Sequence, residues 1–233
     1  MKSSIYHIAL MDLLWAMIPV AIMMLIYIRW TKDSFTVPYA LIRMLIQLIL
    51  IGYVLTYIFS SNSSYLIILI LAVMLVAASI IALRPIAQRN SSLYLKAFVS
   101  IALGGLFTLS MIIFGVLDLT PWYEPRFLIP LAGMVFANAM NAVSLSAERF
   151  ESEIQNGLDY QSARAHTYKA ALIPIINSLF AVGLVSLPGM MTGQILSGID
   201  PLIAVRYQMM VMLMILGSAG ISVAVYLILM KKG

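Results

Sequence analysis

The sequence predicts an all-α, polytopic membrane protein, and three observations predict it. Of 233 residues, 63% are hydrophobic and only 10% are charged, with a mean hydropathy of +1.02. Soluble domains of this size carry far more charge. The apolar residues gather into seven runs, each near or above the ~20 residues that a helix needs to cross a bilayer core. The basic residues fall overwhelmingly into alternate connections between those runs. No hydrophilic block is long enough to fold alone, so residues 1–233 read as a single transmembrane domain.

The first run covers residues 5–28. Lys2 ahead of it resembles the start of a signal peptide, but Asp12 interrupts the run and no A-x-A site follows, so a retained span is expected. The second and third runs, 39–59 and 65–83, are joined by a short uncharged turn at 60–64. The fourth, 95–117, leads into a Pro-containing loop at 118–126, where Trp122 and Tyr123 suit a membrane interface. The last three are 127–147, 170–187 and 202–230. With the N-terminus outside, the inner side receives Arg29, Lys32, Arg43, Arg84, Arg89, Lys96, Arg149, Arg164, Lys169, Lys231 and Lys232. Only Lys2, Arg126 and Arg206 remain outside. The expected arrangement is therefore about seven transmembrane helices, N-terminus out and C-terminus cytosolic.

The stretch on which the chain turns closes the sixth run. From Ala170 to Leu196 is 27 residues, about 40 Å as one straight helix against a core of about 30 Å. Pro188 is expected to break it, because it lacks a backbone donor and clashes with the preceding turn. Gly189 and Gly193, four apart, mark a face open to close backbone approach. Met190, Met191 and Gln194 complete a segment that reads either as a gate in a translocation path or as a loop outside the membrane.

Polar residues at membrane depth extend the candidate path. Gly133, Ala137, Asn141, Ser144 and Glu148 share one helix face, and Asn138 lies beside it. Pro174, Asn177 and Ser178 follow in the next run. Arg43 and Gln47 sit four apart near a span end, where Arg43 can snorkel. Met209, Met210, Met212 and Met214 form a stripe that reads as flexible filling. Thioethers also bind soft monovalent ions, but no His or Cys joins them.

The longest polar connection is 148–169. Phe150, Ile154 and Leu158 fall on one helical face, Gly157 is expected to break the helix, and Asp159 to cap a second short one through Arg164. Two short amphipathic helices at a membrane surface make a docking site, although charge runs of both signs more often mean a solvated loop. Glu151 and Gly157 are spaced as in the E-A-A-x-x-x-G loop of ABC importers, but an apolar-Pro pair arrives only at Ile173-Pro174. There is no cysteine, no H-E-x-x-H, no G-x-S-x-G and no Walker A sequence, so neither enzymatic chemistry nor nucleotide binding is expected in this chain. The net charge of +5 is spread along membrane edges, and no nucleic-acid surface is expected.

Taken together, these stretches resemble the FetB/YbbM-like permease family of ABC transporters, whose plant relatives are tied to aluminium tolerance. The resemblance rests on Arg43-x-x-x-Gln47-Leu48 with Gly52, on Pro130, Gly133-Met134 and Asn138-x-x-Asn141, and on Ser144-Leu145 with Glu148-Arg149. It continues through Arg164, Pro174-x-x-Asn177-Ser178, Gly183-Leu-Val-Ser-Leu-Pro-Gly-Met-Met-Thr-Gly-Gln-Ile-Leu196, Pro201 and Ala204-Val-Arg-Tyr-Gln208. It spans most of residues 41–214, and the L-P-G-M-M-T-G-Q run is its most specific part. The chain departs from the family at Asn156-Gly157-Leu158, where Leu-Gly-Ala is expected.

The resemblance implies a permease subunit in the cell (inner or plasma) membrane. It would pair with a second copy of itself and with a cytosolic ATPase that carries the ATP and Mg. No cofactor is expected on this chain, and whether a metal binds is left open. Phe150, Glu151, Ile154, Gly157, Leu158, Ala163 and Arg164 would couple to the ATPase. Asn138, Asn141, Asn177, Pro188, Gly189, Met190, Met191, Gly193 and Gln194 would form the path or gate. The family's bacterial members look like exporters linked to iron homeostasis. From residues alone, a secondary transporter and a non-transporting receptor or scaffold stay open.

Overall fold

A computed structural model describes residues 11–59, 63–86 and 88–231. The described elements are α1 (Leu13–Thr31), α2 (Thr36–Ile58), α3 (Ser64–Ala82), α4 (Ser91–Ser110), a π-helical segment (Met111–Val116), α5 (Pro125–Gln155), α6 (Tyr160–Ala181), α7 (Gly189–Leu196) and α8 (Pro201–Met230). Among the described residues there is no β-strand, only an isolated bridge between Val182 and Ser186. The helix starts are written locally. Asn90 accepts from Leu93 N–H at 2.8 Å, Asp159 from Gln161 N–H at 2.9 Å and Asp200 from Leu202 N–H at 2.8 Å, each satisfying an otherwise orphaned donor. Proline opens α5 and α8, where its fixed φ helps and its missing N–H costs nothing.

The chain divides into two compact units, one up to Ser61 and one from Asn62 onward. In the first, α1 and α2 are joined through Lys32, in the left-handed region at φ 58°, and through Asp33. The Asp33 carboxylate accepts from the N–H groups of Phe35 (3.0 Å) and Thr36 (3.1 Å) and from the Tyr27 hydroxyl (3.3 Å). Bonds from the Thr36 side chain, then from the Thr36 and Phe35 amides, lower its pKa to about 2. A depressed folded pKa means that this turn keeps its charge-based stabilisation above the ordinary carboxylate range and loses it as pH falls through about 2. Within this unit α1 buries no residue and α2 buries only Ile58, leaving almost wholly apolar, outward-facing helices. Lys2 and His7 lie outside the described residues, as do Lys232 and positions 60–62 of the short turn.

The second unit is a bundle of α3 to α8 in which α4 and α8 make the most extensive contact. That contact is built from small residues. A Cβ on Gly104 would stand 2.7 Å from the Ser222 amide nitrogen and 2.9 Å from the Ser218 carbonyl oxygen, and one on Gly105 would strike the Phe136 ring at 2.9 Å. Ser100 and Thr108, one turn to either side of Gly104, turn their hydroxyls back to Lys96 O (2.6 Å) and Gly104 O (2.7 Å). Small side chains thus bring two backbones together, with the Ser100, Thr108 and Ser218 hydroxyls satisfied within their helices and the buried Ser222 hydroxyl left without a partner. Phe136, Ile101, Leu128, Met214, Tyr226 and Leu227 fill the space around this seam, each fully buried.

The bundle also sorts its charges. The start of α4 meets the end of α8, where Lys96 Nζ lies 4.0 Å from Met230 Sδ. The end of α5 meets the start of α6 through Phe150 and Tyr160, and Tyr160 reaches Leu227 of α8. Lys96, Arg149, Arg164 and Lys231 therefore share one end of the unit, while Arg126 and Tyr207 meet at the other, around a small cavity near Leu117 and Phe127.

Among the described residues six helices are long and apolar enough to cross a membrane: Leu13–Thr31, Thr36–Ile58, Ser64–Ala82, Ser91–Val116, Pro125–Gln155 and Pro201–Met230. The expected span at 170–187 is not a helix of its own. α6 begins at Tyr160, and its first half carries Arg164, His166 and Lys169, so it falls outside this set. The expected pair of short amphipathic helices in 148–169 is likewise corrected: these residues are the end of the 31-residue α5 and the beginning of the 22-residue α6. Helix propagation adds a bond per residue, so the long apolar helices extend through the polar stretch until Gly157 stops them.

Candidate translocation path and helical tip

The break between α6 and α7 lies earlier than Pro188. α6 ends at Ala181, and the chain turns at Gly183, whose φ of +84° suits glycine. The turn is closed by Gly183 N–H to Ser186 O (3.0 Å), Val185 N–H to Ala181 O (2.8 Å) and Ser186 N–H to Ala181 O (3.2 Å). Pro188, at φ −62°, is instead the N-cap of α7, a place where proline's missing donor is harmless. α7 ends in a Schellman motif: Gly198 takes φ +88°, and its N–H bonds Ile195 O (2.9 Å) while Ile199 N–H bonds Gln194 O (3.0 Å). At about 1.5 Å per residue, α6 and α7 together span about 45 Å, matching α5 and α8.

α7 packs on α8, leaving a cleft of ≈ 420 Å³ in which Val182, Gly183, Leu187 and Met191 face Val205, Gln208, Met209 and Met212. Gln208 is only 6% exposed, and its Oε1, like that of Gln194, is buried without a hydrogen-bond partner. Two unsatisfied amide oxygens beside a broken helix are costly in an apolar setting. Met190 turns the other way, toward α5, where it lines a cavity of ≈ 40 Å³ with Met134 and Met210. Such thioethers give an adaptable apolar lining. Among the described residues no group of three or more His, Cys, Asp or Glu side chains gathers to hold a metal ion.

Gly189 and Gly193 were expected to mark a face of close approach. A Cβ at either would meet nothing within 4 Å, so among the described residues none covers that face. Leu184 and Val185 in the adjoining turn are 90% and 84% exposed.

A second, more polar cleft of ≈ 140 Å³ lies between α5 and α6 and gathers Asn138, Asn141, Pro174 and Ser178, with Ala219 of α8. Asn138 donates to Met134 O at 2.8 Å, and Ser178 to Pro174 O at 3.0 Å. The shared face read from the sequence thus does border a cavity at Asn141. Asn177 does not join it and points outward as an exposed residue.

The end of α5 and the start of α6 form a tight helical tip. Gly157 takes φ +86°, its N–H bonds Ile154 O (3.0 Å), and Leu158 N–H bonds Glu153 O (3.1 Å). This is a second Schellman closure. Asp159 then caps α6. Bonds from the Ser162 side chain, then from the Ser162 and Gln161 amides, hold its pKa below the ordinary value. Ile154 and Gly157 are exposed, and Glu151 and Leu158 are half-buried. Phe150 and Ala163, expected on the docking face, are instead 6% and 0% exposed. Their side chains pack the tip from inside, because the face read as unpartnered is covered where α6 folds back on α5. Glu153 is nearly buried too and pairs with Arg149 at 2.6 Å, with His166 Nδ1 3.8 Å away.

Tyr160, which the sequence reading passed over, knots this region. Its hydroxyl donates to Leu227 O at 2.8 Å, its ring meets Phe150 edge-on, and Arg164 and Lys231 lie over it at 5.6 and 5.9 Å. The partners on α8 are far away in sequence, so no local pattern marks it. Tyr160→Phe removes one hydrogen bond and keeps the ring; a loss of about 1 kcal/mol is expected in chemical unfolding, against about 2–4 kcal/mol for Tyr160→Ala.

The fold and these clefts define a multi-pass helical membrane protein. The chain belongs to the UPF0014 family, described as "Uncharacterised protein family (UPF0014)", which matches residues 10–233. It is 38% identical over 189 residues to the UPF0014 membrane protein slr1647 of Synechocystis, covering 75% of this chain and 73% of that one. It is 38% identical over 208 residues to the probable iron export permease protein FetB of Escherichia coli, covering 79% and 76%. It is 33% identical over 199 residues to protein ALUMINUM SENSITIVE 3 of Arabidopsis thaliana, covering 79% and 71%. The family resemblance carried by the motifs is borne out. No solved structure matches.

Proposed function

We propose that this chain is the membrane-spanning subunit of an ABC exporter serving iron or metal homeostasis, driven by a separate cytosolic ATPase. The observation that carries the reading is its similarity to the probable iron export permease, in a chain whose bundle projects a helical tip and whose sequence has no nucleotide-binding motif. In this reading the N-terminus lies outside, and the tip around Gly157 lies in the cytosol, at the end of the bundle where the basic residues gather. α6 and α7 act as one broken crossing. The Asn138–Asn141–Ser178 cleft and the break beside Gln194 and Gln208 border the path. The cleft's amides and hydroxyl are neutral, with no carboxylate or imidazole among its lining residues, which suits the polar periphery of a chelate better than tight ligation of a bare hard ion. The complex purified from its native membrane should contain a nucleotide-binding subunit in equal number. If the chain purifies alone under conditions that preserve other transporter complexes, the reading fails.

The uncovered Gly189 and Gly193 face is assigned to a second copy of the chain. Gly193→Leu should leave the melting temperature of the detergent-solubilised monomer within a degree or two, since nothing lies within 4 Å, but should abolish dimer crosslinking and transport-linked ATP hydrolysis. A variant that dimerises and transports like the parent removes the face from the interface.

A further inference from the structure

We propose that the groove between the start of α6 and the end of α8 binds an anionic lipid, its phosphate held by Arg164 and Lys169 and its acyl chain laid along α8. The groove is a cleft of ≈ 430 Å³ lined by Arg164, Tyr168, Lys169, Ala224, Leu227 and Ile228. Its two walls differ in chemistry. α6 supplies two cations, and α8 supplies only aliphatic side chains, Ile228 among them at 57% exposure.

The level of the groove in the fold is fixed by both helices. On α6 the polar half ends at Lys169 and the apolar run begins at Ala170; on α8 the last apolar turns end at Lys231. That is where a phosphate headgroup and the first methylenes of a lipid meet a transmembrane surface. Tyr168 spans the gap, because its hydroxyl lies 3.4 Å from where a Cβ on Gly220 would stand.

The cations are available. Among the described residues the ion pairs are Arg149–Glu153 and His166–Glu153, so neither Arg164 nor Lys169 is matched by a carboxylate. Arg164 is held over the Tyr160 ring at 5.6 Å, and Lys231 approaches the same ring at 5.9 Å. Arg164 and Lys169 line the groove, and Arg164 shares the Tyr160 ring with Lys231. A free phosphate would satisfy the charges but leave the aliphatic wall bare; a glycerophospholipid satisfies both.

The test is native mass spectrometry of the purified full chain in neutral detergent, titrated with phosphatidylglycerol or with phosphatidylcholine of matched acyl chains. Phosphatidylglycerol should be retained at least about tenfold more tightly, and Lys169→Gln and Arg164→Gln should each weaken it about fivefold. Lys169→Arg should restore it, and Arg84→Gln, a basic residue outside the groove, should leave it unchanged. Each variant is scored at a melting temperature equal to the parent's, which the exposure of both side chains makes the expected outcome. Equal retention of the two lipids would overturn the site. So would an equal loss in Arg84→Gln, which would mean general surface attraction, or displacement by inorganic phosphate as effective as that by competing lipid, which would mean an anion site without an acyl groove.

Discussion

Gly104→Leu is expected to leave little folded protein in the membrane. The position has no space for any side chain, since even a single methyl would stand 2.7 Å from a backbone nitrogen and 2.9 Å from a backbone oxygen of α8. Backbone atoms cannot rotate away as a flexible side chain can, so the helices must separate, and the fully buried residues around the seam lose contact with them. Gly104→Ala should already cost about 1–3 kcal/mol, and the larger residue more than that. Thermal unfolding in detergent measures it. Gly52→Ala is the matched control, because nothing lies within 4 Å of Gly52 and alanine is the better helix former by roughly 1 kcal/mol. A Gly104→Ala protein that melts with the parent would show that the two helices do not pack as described.

Under the proposed coupling to a partner ATPase, Gly157→Pro is expected to abolish ATP-driven transport while leaving the chain inserted. Gly157 holds φ at +86°, which the pyrrolidine ring forbids, and proline also deletes the N–H that bonds Ile154 O at 3.0 Å. The turn between α5 and α6 must then open, and Ile154, Leu158 and Glu151 lose their mutual placement. A Cβ at Gly157 would meet nothing within 4 Å, so the close approach of α4 and α8 at Gly104 is not touched directly and should hold the fold. The expected result is normal membrane yield with loss of the co-purifying ATPase. Gly157→Ala, strained by about 1–2 kcal/mol in the left-handed region, should retain part of the association. Full transport in Gly157→Pro, or crosslinks from the ATPase only to residues 84–96, would move the coupling contact elsewhere.

The helices were legible in the sequence because membrane spans are announced by composition and length, which need no knowledge of neighbours. The turn at Gly157 and the cap at Asp159 were legible for the same reason: both are local chemistry. The position of the break was misread because Pro188 is the conspicuous residue, while Gly183, five residues earlier, has the freedom to turn the chain. The G-x-x-x-G at Gly189 and Gly193 has the spacing of a packing motif, yet the backbones approach closely at Gly104, between Ser100 and Thr108, against Ser218 and Ser222. That pattern also repeats every four residues. Its significance rests on which helix faces it, which one strand of sequence does not state. The knot at Tyr160 and the unsatisfied oxygen of Gln208 depend on the same long-range placement.

The ending of α6 at Ala181, ahead of the turn at Gly183, has a mechanical consequence. The helix runs 22 residues, with Pro174 inside it as the one weak point of its hydrogen-bond ladder, and it is footed at the Gly157 turn and ends before the turn at Gly183, while α7 rests on α8. A displacement imposed at the foot is therefore carried to the far end as leverage. Over a rod of about 33 Å, a tilt of about 5° moves the free end by about 3 Å. Gly183 then serves as the joint where that swing stops, so α7 need not follow it.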